Sequence, residues 1–210
     1  ALFNLGNSLQ EKGELSLAIK VYEKALNINP SFQEVKVELI QYKGEICDWS
    51  KMDLQYEWTK TIGIEGNPIG SLAILALEDD PLKHLLRVKR YYQKTYEQNN
   101  LKLSMHVSDK IRIGYFSGNF YEHAVMQLMI RVFELHDSSR FEIFAYRYGP
   151  SNEDSYTNRV RNNVYKFRDI RSISDKKVSE IARSDKIHIA IDLMGYTRGE
   201  RFNIFAKRLA

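Results

Sequence analysis

One histidine stands where α/β proteins commonly present side chains to a ligand. His123 follows the apolar run Ile111–Ser117 and a short polar loop, and it directly precedes a helix-like stretch, in IRIGYFSGNFYEHAVMQLMIRVF. A strand that feeds a polar loop and then a helix is the usual arrangement at such sites. Because an imidazole titrates near neutral pH, His123 could transfer a proton there. A histidine that only starts a helix or packs against it fits the same position.

A second polar segment, DLMGYTRG at residues 192–199, follows another apolar run. In the common doubly wound order the first and fourth strands are neighbours, and ligands enter at their carboxyl ends. We therefore predict that this segment, the Asp192 turn, faces residues 117–123, the His123 loop. His123 would then approach Asp192, Tyr196 and Thr197. Each of these three is a weak candidate alone, and Asp192 fits equally well as the cap of a turn.

Four glycines near these segments could let a ligand approach the backbone: Gly114, Gly118, Gly195 and Gly199. Their spacing does not match the dinucleotide-binding fingerprint, so plain tight turns are the favoured explanation.

Metal ligands are not grouped in the sequence, because the five histidines show no close paired spacing and there is a single cysteine. We predict neither a metal nor another cofactor. His136, near the end of a predicted helix, is explained by the helix dipole.

The elements that must position these residues alternate between strands and helices over residues 109–210. Strands are predicted at 111–117, 141–148, 164–169 and 187–193, and helices at 124–136, 153–162, 175–184 and 201–207. Short apolar strands separated by helices indicate a parallel sheet that is covered on both faces. We predict a Rossmann-like α/β half.

The first thirty residues match the template of a helical repeat, and residues 1–44 are predicted to be the terminal repeat region. The template positions are Leu2, Leu5, Gly6, Leu9, Ala18, Tyr22, Ala25 and Pro30. Small residues at such offsets let two helices approach, while Leu5, Leu9 and Tyr22 fill their interface. This pattern resembles a tetratricopeptide repeat. A second copy fits poorly, so we predict the end of a repeat array, with further copies upstream.

Residues 45–108 are predicted to form helical connectors. One connector helix begins at Pro81 and carries Leu82, Leu85, Leu86 and Val88 on its apolar side. It runs into the polar stretch NNLKLSMHVSD, which we interpret as the boundary of the α/β half.

The bulk composition is that of a globular protein, with 210 residues, 43% hydrophobic, 28% charged and a net charge of +4. One cysteine excludes an internal disulfide, and no apolar run approaches the ~20 residues that cross a bilayer. We predict a cytoplasmic protein that binds neither membrane nor nucleic acid.

Taken together, these segments resemble the protein O-linked N-acetylglucosamine transferases and their bacterial relatives. The resemblance rests on the repeat, on CDWSKMD and LAILALEDDP, and on IRIGYFSGNFYEHAVMQLM, FEIFAYRYGP and IHIAIDLMGYTRGERFNIFAKR. Two departures are Ala124 and Leu209, where many relatives have proline.

The resemblance implies a two-domain GT-B transferase, of which residues 109–210 are the first half. It implies inverting transfer of GlcNAc from UDP-GlcNAc to serine or threonine hydroxyls, without a metal. His123 matches the family's loop histidine, the proposed base, whereas Gly195, Tyr196 and Thr197 match a turn that borders the sugar pocket. The diphosphate cradle belongs to the second half, so the chain alone is expected to be inactive.

The repeats are then expected to hold target proteins or peptides. Two alternatives stay open. A related transferase could use another nucleotide sugar, such as a fucose or glucose donor, and an inactive repeat scaffold could serve only for interaction.

Overall fold

The computed structural model describes residues 1–70, 72–96, 107–151, 153–197 and 199–210. The chain divides into two compact units, Ala1–Thr95 and Tyr96–Ala210. Most of the polar stretch that we interpret as a domain boundary lies outside the described residues, so the predicted three-part division stays a prediction. Within the described ranges, every helix is too short or too polar to traverse a bilayer.

The described residues of the first unit form helices and the loops that join them. The helices are α1 (Leu2–Glu11), α2 (Leu15–Ile28), α3 (Gln33–Glu45), α4 (Met52–Thr59), a short 3-10 helix (Ala73–Ala76) and α5 (Pro81–Thr95). Gly13, at φ +80°, turns the chain between α1 and α2. The two helices pack through Gly6, where an added Cβ would lie 2.3 Å from the Tyr22 ring. This close approach is what the small residues of the repeat pattern predict.

Two details of the helical prediction are wrong. Leu5 is 49% exposed rather than part of the helix interface, and Phe3 packs against the core in its place. On α5, the predicted apolar side is exposed rather than packed, and the buried residue of this helix is Arg87. The residues of that side are Leu82, Leu85, Leu86 and Val88.

Arg87 fixes α5 to the preceding loops through a buried network. Its guanidinium donates to the Glu78 carboxylate and to the carbonyl oxygens of Thr59 and Ile62, the last at 2.8 Å. Lys83 Nζ lies 3.2 Å from the other oxygen of Glu78. A buried cation is tolerated because each of the three guanidinium nitrogens finds an acceptor. The buried side of α5 is therefore held by hydrogen bonds of Arg87, and the spacing of apolar residues does not predict it.

The second unit is a four-stranded sheet with helices. Along the chain it contains β1 (Ile111–Ser117), α6 (Ala124–Leu135), β2 (Phe141–Arg147), α7 (Ser155–Asn162), β3 (Lys166–Asp169), α8 (Asp175–Ser184), β4 (Ile189–Asp192) and α9 (Asn203–Ala206). The spatial order is β3-β2-β1-β4 and every pairing is parallel. The predicted α/β class is confirmed.

Alternate residues of the strands build two cores. Ile113, Tyr115, Ile143 and Ala145 face α6 and α7 in one hydrophobic cluster. Phe116, Phe144 and Tyr146 face α8 and α9 in the other. Because side chains alternate between the faces of a strand, continuous apolar runs such as IRIGYFS indicate burial on both faces.

Candidate active site

The His123 loop and the Asp192 turn leave the same edge of the sheet. Strands β1 and β4 are neighbours, and Phe116 is in register with Asp192. The strand that follows β1 in sequence, β2, lies on its other side. The winding direction therefore reverses between β1 and β4, where doubly wound sheets bind ligands. The predicted adjacency of the first and fourth strands is confirmed.

Asp192 shapes the turn that bears its name. Its carboxylate accepts hydrogen bonds from the backbone N–H groups of Met194, at 2.9 Å, and Gly195, at 3.0 Å. Gly195 adopts φ +57°, a backbone conformation that side chains with a Cβ rarely take. Thr197 Oγ1 donates to the Met194 carbonyl oxygen at 2.8 Å. The hydrogen bonds of Asp192 and Thr197 are thus directed into the turn itself.

The partial burial of Asp192 changes the pKa of its carboxyl group. Partial burial raises the pKa of Asp192 above its ordinary value, against the two N–H donors that lower it, and the nearby charge of Glu200 raises it further. Among the residues that the structure describes, the hydrogen-bond donors to Asp192 are these two backbone N–H groups.

An aromatic cluster supports the far side of the turn. Tyr196 stacks on Phe202 with ring centroids 5.0 Å apart, and Phe202 packs against Tyr96 at 5.4 Å. The Tyr96 hydroxyl donates to the Glu200 carboxylate at 2.7 Å. The sequence did not predict this cluster of Tyr96, Glu200 and Phe202. Tyr96 lies 104 positions before Glu200, so no local pattern links it to the turn.

His123 is the N-cap of α6. Its Nδ1 accepts a hydrogen bond from Val125 N at 3.1 Å, and its ring lies 5.6 Å from that of Tyr121. A neutral imidazole whose Nδ1 accepts must carry its proton on Nε2. In this arrangement Nε2 is a donor, and His123 can accept a proton only after the cap bond from Val125 N is released.

Met194 joins the two segments. Asn119 Nδ2 donates to the Met194 sulfur at 3.1 Å, and Ser117 Oγ does so at 3.9 Å. Met194 is 9% exposed. A thioether is a weak acceptor and a soft packing group, so nothing in the residue type predicts this role.

The His123 loop is held firmly at its start. Ser117 O accepts from Tyr148 N at 3.1 Å, and Ser117 Oγ accepts from Asn119 N at 2.9 Å. The backbone of Gly118 lies directly against Gly149, where an added Cβ would be 1.6 Å from Gly118 O. The end of β2 therefore supports the loop that begins at the end of β1.

The structure thus brings all five predicted site residues to one edge of the sheet. These are His123, Asp192, Gly195, Tyr196 and Thr197. Among the residues described, no cluster of three or more His, Cys, Asp or Glu side chains is placed to hold a metal.

A separate groove of about 410 Å³ lies at the opposite edge, by the amino ends of β1 and β2. His136 lines it, and its Nε2 is 2.9 Å from the Tyr115 hydroxyl. Burial lowers the pKa of His136. Burial therefore disfavours the cationic form that an interaction of His136 with the helix dipole would use, and the dipole explanation stays a prediction.

We expect the thermal stability of the α/β unit to fall as pH is lowered from 7.5 to 5.5. A histidine whose folded pKa is lowered stabilises the fold above its unfolded pKa of ~6.5 and loses that contribution below it. Lys110, Glu134 and Glu142 line the same groove. Hydrogen bonds from Arg159 and Arg131 hold the pKa of Glu134 below its ordinary value, outside this window. The glutamine of a His136→Gln variant cannot titrate, so its melting temperature should depend less on pH between 7.5 and 5.5. The same pH dependence in the variant and the wild type would contradict the role assigned to His136.

Comparisons with known proteins place both units among described families. The family model "Glycosyl transferase family 41" matches residues 83–210, and the model "Tetratricopeptide repeat" matches residues 1–32. The predicted repeat is thereby confirmed.

Curated relatives are similar over part of their length. A probable UDP-N-acetylglucosamine–peptide N-acetylglucosaminyltransferase of Arabidopsis thaliana is 35% identical over 101 residues, 48% of this chain and 10% of the relative. A UDP-N-acetylglucosamine–peptide N-acetylglucosaminyltransferase of Caenorhabditis elegans is 34% identical over 110 residues. The match covers 52% of this chain and 10% of the relative. A rice relative, named SPINDLY, is 26% identical over 91% of the chain and 18% of its own length.

A solved structure has the same fold. It is a mutant of an O-GlcNAc transferase from Thermobaculum terrenum, with a TM-score of 0.70 and 22% identity, and the match covers 100% of this chain and 42% of that one. The chain thus spans less than half of this neighbour and 10% to 18% of the three relatives above.

Proposed function

Because the chain belongs to glycosyl transferase family 41, we propose that the intact protein transfers a sugar from a nucleotide-sugar donor to hydroxyl groups of target proteins. The donor proposed is UDP-GlcNAc and the acceptors are serine and threonine. The observation that carries the proposal is the junction of the His123 loop with the Asp192 turn, inside the region that matches the family.

The reaction asks for two kinds of group. In an inverting transfer the acceptor oxygen attacks the anomeric carbon, the bond to the diphosphate breaks, and the hydroxyl proton goes to a base. An uncharged hydroxyl is a weak nucleophile, and the departing diphosphate must be met by hydrogen-bond donors or cations. Residues 1–210 would supply groups around the reacting sugar. The proposal assigns diphosphate binding to a second α/β half outside these residues.

The geometry favours a positioning role for His123. With Nδ1 occupied by Val125 N, the Nε2–H would donate to an oxygen of the donor sugar or of the acceptor. Proton removal by His123 would require loss of the α6 cap during the reaction. The Asp192 turn would border the sugar through Gly195, Tyr196 and Thr197. The Asp192 carboxylate fixes the start of this turn by accepting from Met194 N and Gly195 N.

The repeat unit offers a place for the acceptor. Residues 1–32 match the tetratricopeptide model, and stacked repeats form extended surfaces that hold polypeptides. We propose that target proteins bind there before their hydroxyl groups reach the transfer site. No metal takes part in this scheme.

The test is to incubate the intact protein and a protein acceptor with UDP-GlcNAc, UDP-glucose or GDP-fucose, with and without a chelator. Intact-mass spectrometry should show addition of one N-acetylhexosamine from UDP-GlcNAc alone, unaffected by the chelator. Addition from another donor would replace the proposed sugar, and no addition from any donor would favour the interaction scaffold.

A further inference from the structure

The first turn of α7 is attached to the His123 loop at two points. Asp154 Oδ2 accepts a hydrogen bond from Glu122 N at 2.5 Å, across 32 positions of sequence. Thr157 Oγ1 donates to Phe120 O at 2.7 Å, across 37 positions. The two bonds fix the backbone on either side of Tyr121. The bond to Asp154 is made by Glu122, the residue before His123.

Asp154 divides its carboxylate between two tasks. Oδ1 accepts from Thr157 N at 2.9 Å, which caps α7, while Oδ2 holds the loop. A helix cap needs one acceptor only, as the neighbouring helix shows: Ser174 caps α8 by accepting from Lys177 N with its single hydroxyl. The second oxygen of Asp154 is therefore surplus to capping, and it is used for the backbone beside His123.

The position of this bond explains why it would affect chemistry. Thr157 is fully buried and Phe120 is anchored in the core against Phe133, whereas Glu122 is exposed. The core thus fixes the loop as far as Phe120, and the described bond that extends the restraint to Glu122 is the one from Asp154. Because a reacting group displaced by about 1 Å can lose ~100-fold in rate, this bond matters together with the cap bond of His123 to Val125 N: the two restrain the chain on either side of the ring.

We propose that Asp154 is a positioning residue for the transfer reaction, acting by fixing the backbone at Glu122 and hence the placement of the His123 ring. The inference rests on the proposed function, but its physical part, the anchoring of the loop, can be measured without any sugar donor. Asp154 itself contacts no reacting atom in this scheme.

Two substitutions separate anchoring from capping. Asp154→Asn keeps one acceptor for Thr157 N but replaces the other oxygen by an amide that cannot accept from Glu122 N. Asp154→Ser keeps a good cap and removes the second acceptor altogether. The matched control is Ser174→Ala, which removes the cap of α8 and leaves the His123 loop untouched.

In the intact protein, we expect both Asp154 variants to lower kcat for GlcNAc transfer about 10-fold with KM for the donor changed less than about 3-fold, as for loss of alignment rather than of binding. Amide exchange at Glu122 should be about 10-fold faster, because its protecting bond is lost. Ser174→Ala should lower the melting temperature at least as much as Asp154→Ser while leaving kcat and Glu122 exchange unchanged.

Turnover within about 2-fold of wild type in both variants would overturn the positioning role. If the wild-type protein transfers no sugar from any donor, the proposed function fails, and exchange still decides the anchoring. Unchanged protection of Glu122 would then overturn the inference as well. Faster exchange in an inactive protein would keep Asp154 as a loop anchor and remove its role in transfer.

Discussion

Replacing His123 by asparagine is expected to lower the turnover of the intact protein at least ~100-fold while leaving its melting temperature nearly unchanged. The scale is that of losing an acid–base or closely aligned polar group. The stability should hold because asparagine is a good N-cap and can accept from Val125 N in place of Nδ1. The measurements are kcat with UDP-GlcNAc and a thermal melt of the same preparation.

Alanine at this position provides the comparison. His123→Ala removes the cap as well as the ring, so we expect the same loss of turnover together with about 1 kcal/mol of stability. The pair therefore separates the role of the ring from the role of the cap. Turnover of the asparagine variant close to wild type would show that His123 serves α6 and not the reaction.

The second large effect is expected from Gly149→Ala. An alanine Cβ would stand 1.6 Å from Gly118 O, and the obstructing atoms belong to the backbone rather than to a side chain that could rotate away. Either β2 or the start of the His123 loop must move. We expect a loss of about 3 kcal/mol or more in the free energy of unfolding, at the upper end for overpacking, together with loss of transfer activity.

Gly44→Ala is the matched control for this substitution. Gly44 lies in α3, and the nearest atom to an added Cβ is 3.9 Å away on the Trp49 ring. Since alanine is the better helix former, this variant should be neutral or slightly more stable. Denaturant unfolding of both variants is the measurement, and equal stabilities would mean that the contact between Gly118 and Gly149 is looser than the structure shows.

Much of the α/β unit follows from its sequence because its signals are local and repeated. Runs such as IRIGYFS and FEIFAYR are apolar on both faces, and helical patterns between them require crossovers and hence a parallel sheet. The neighbouring positions of β1 and β4, and with them the shared edge of the His123 loop and the Asp192 turn, follow from the common winding order.

The rest of the site could not be predicted, since it depends on contacts between distant residues of unremarkable type. Met194 bridges the two segments with a sulfur atom, and Asp154 holds a backbone amide 32 positions away. A methionine predicts nothing polar, and an aspartate before a helix is already explained as a cap. Arg87 shows the same limit in the helical unit, where hydrogen bonding rather than apolar periodicity decides which side of α5 is buried.

The strand order also affects the sequence in which the strands pair during folding. The ladder between β1 and β2 joins residues 30 apart, whereas the bond from Arg112 N to His188, beside the β1–β4 ladder, closes a loop of 76. Closing the longer loop costs about 0.8 kcal/mol more in chain entropy. A nascent chain must also extend past Asp192 before β4 can pair, while the helical hairpin at its start needs only nearby partners. Within residues 111–192, the pairing of β1 with β4 is therefore expected to form after the pairing of β1 with β2.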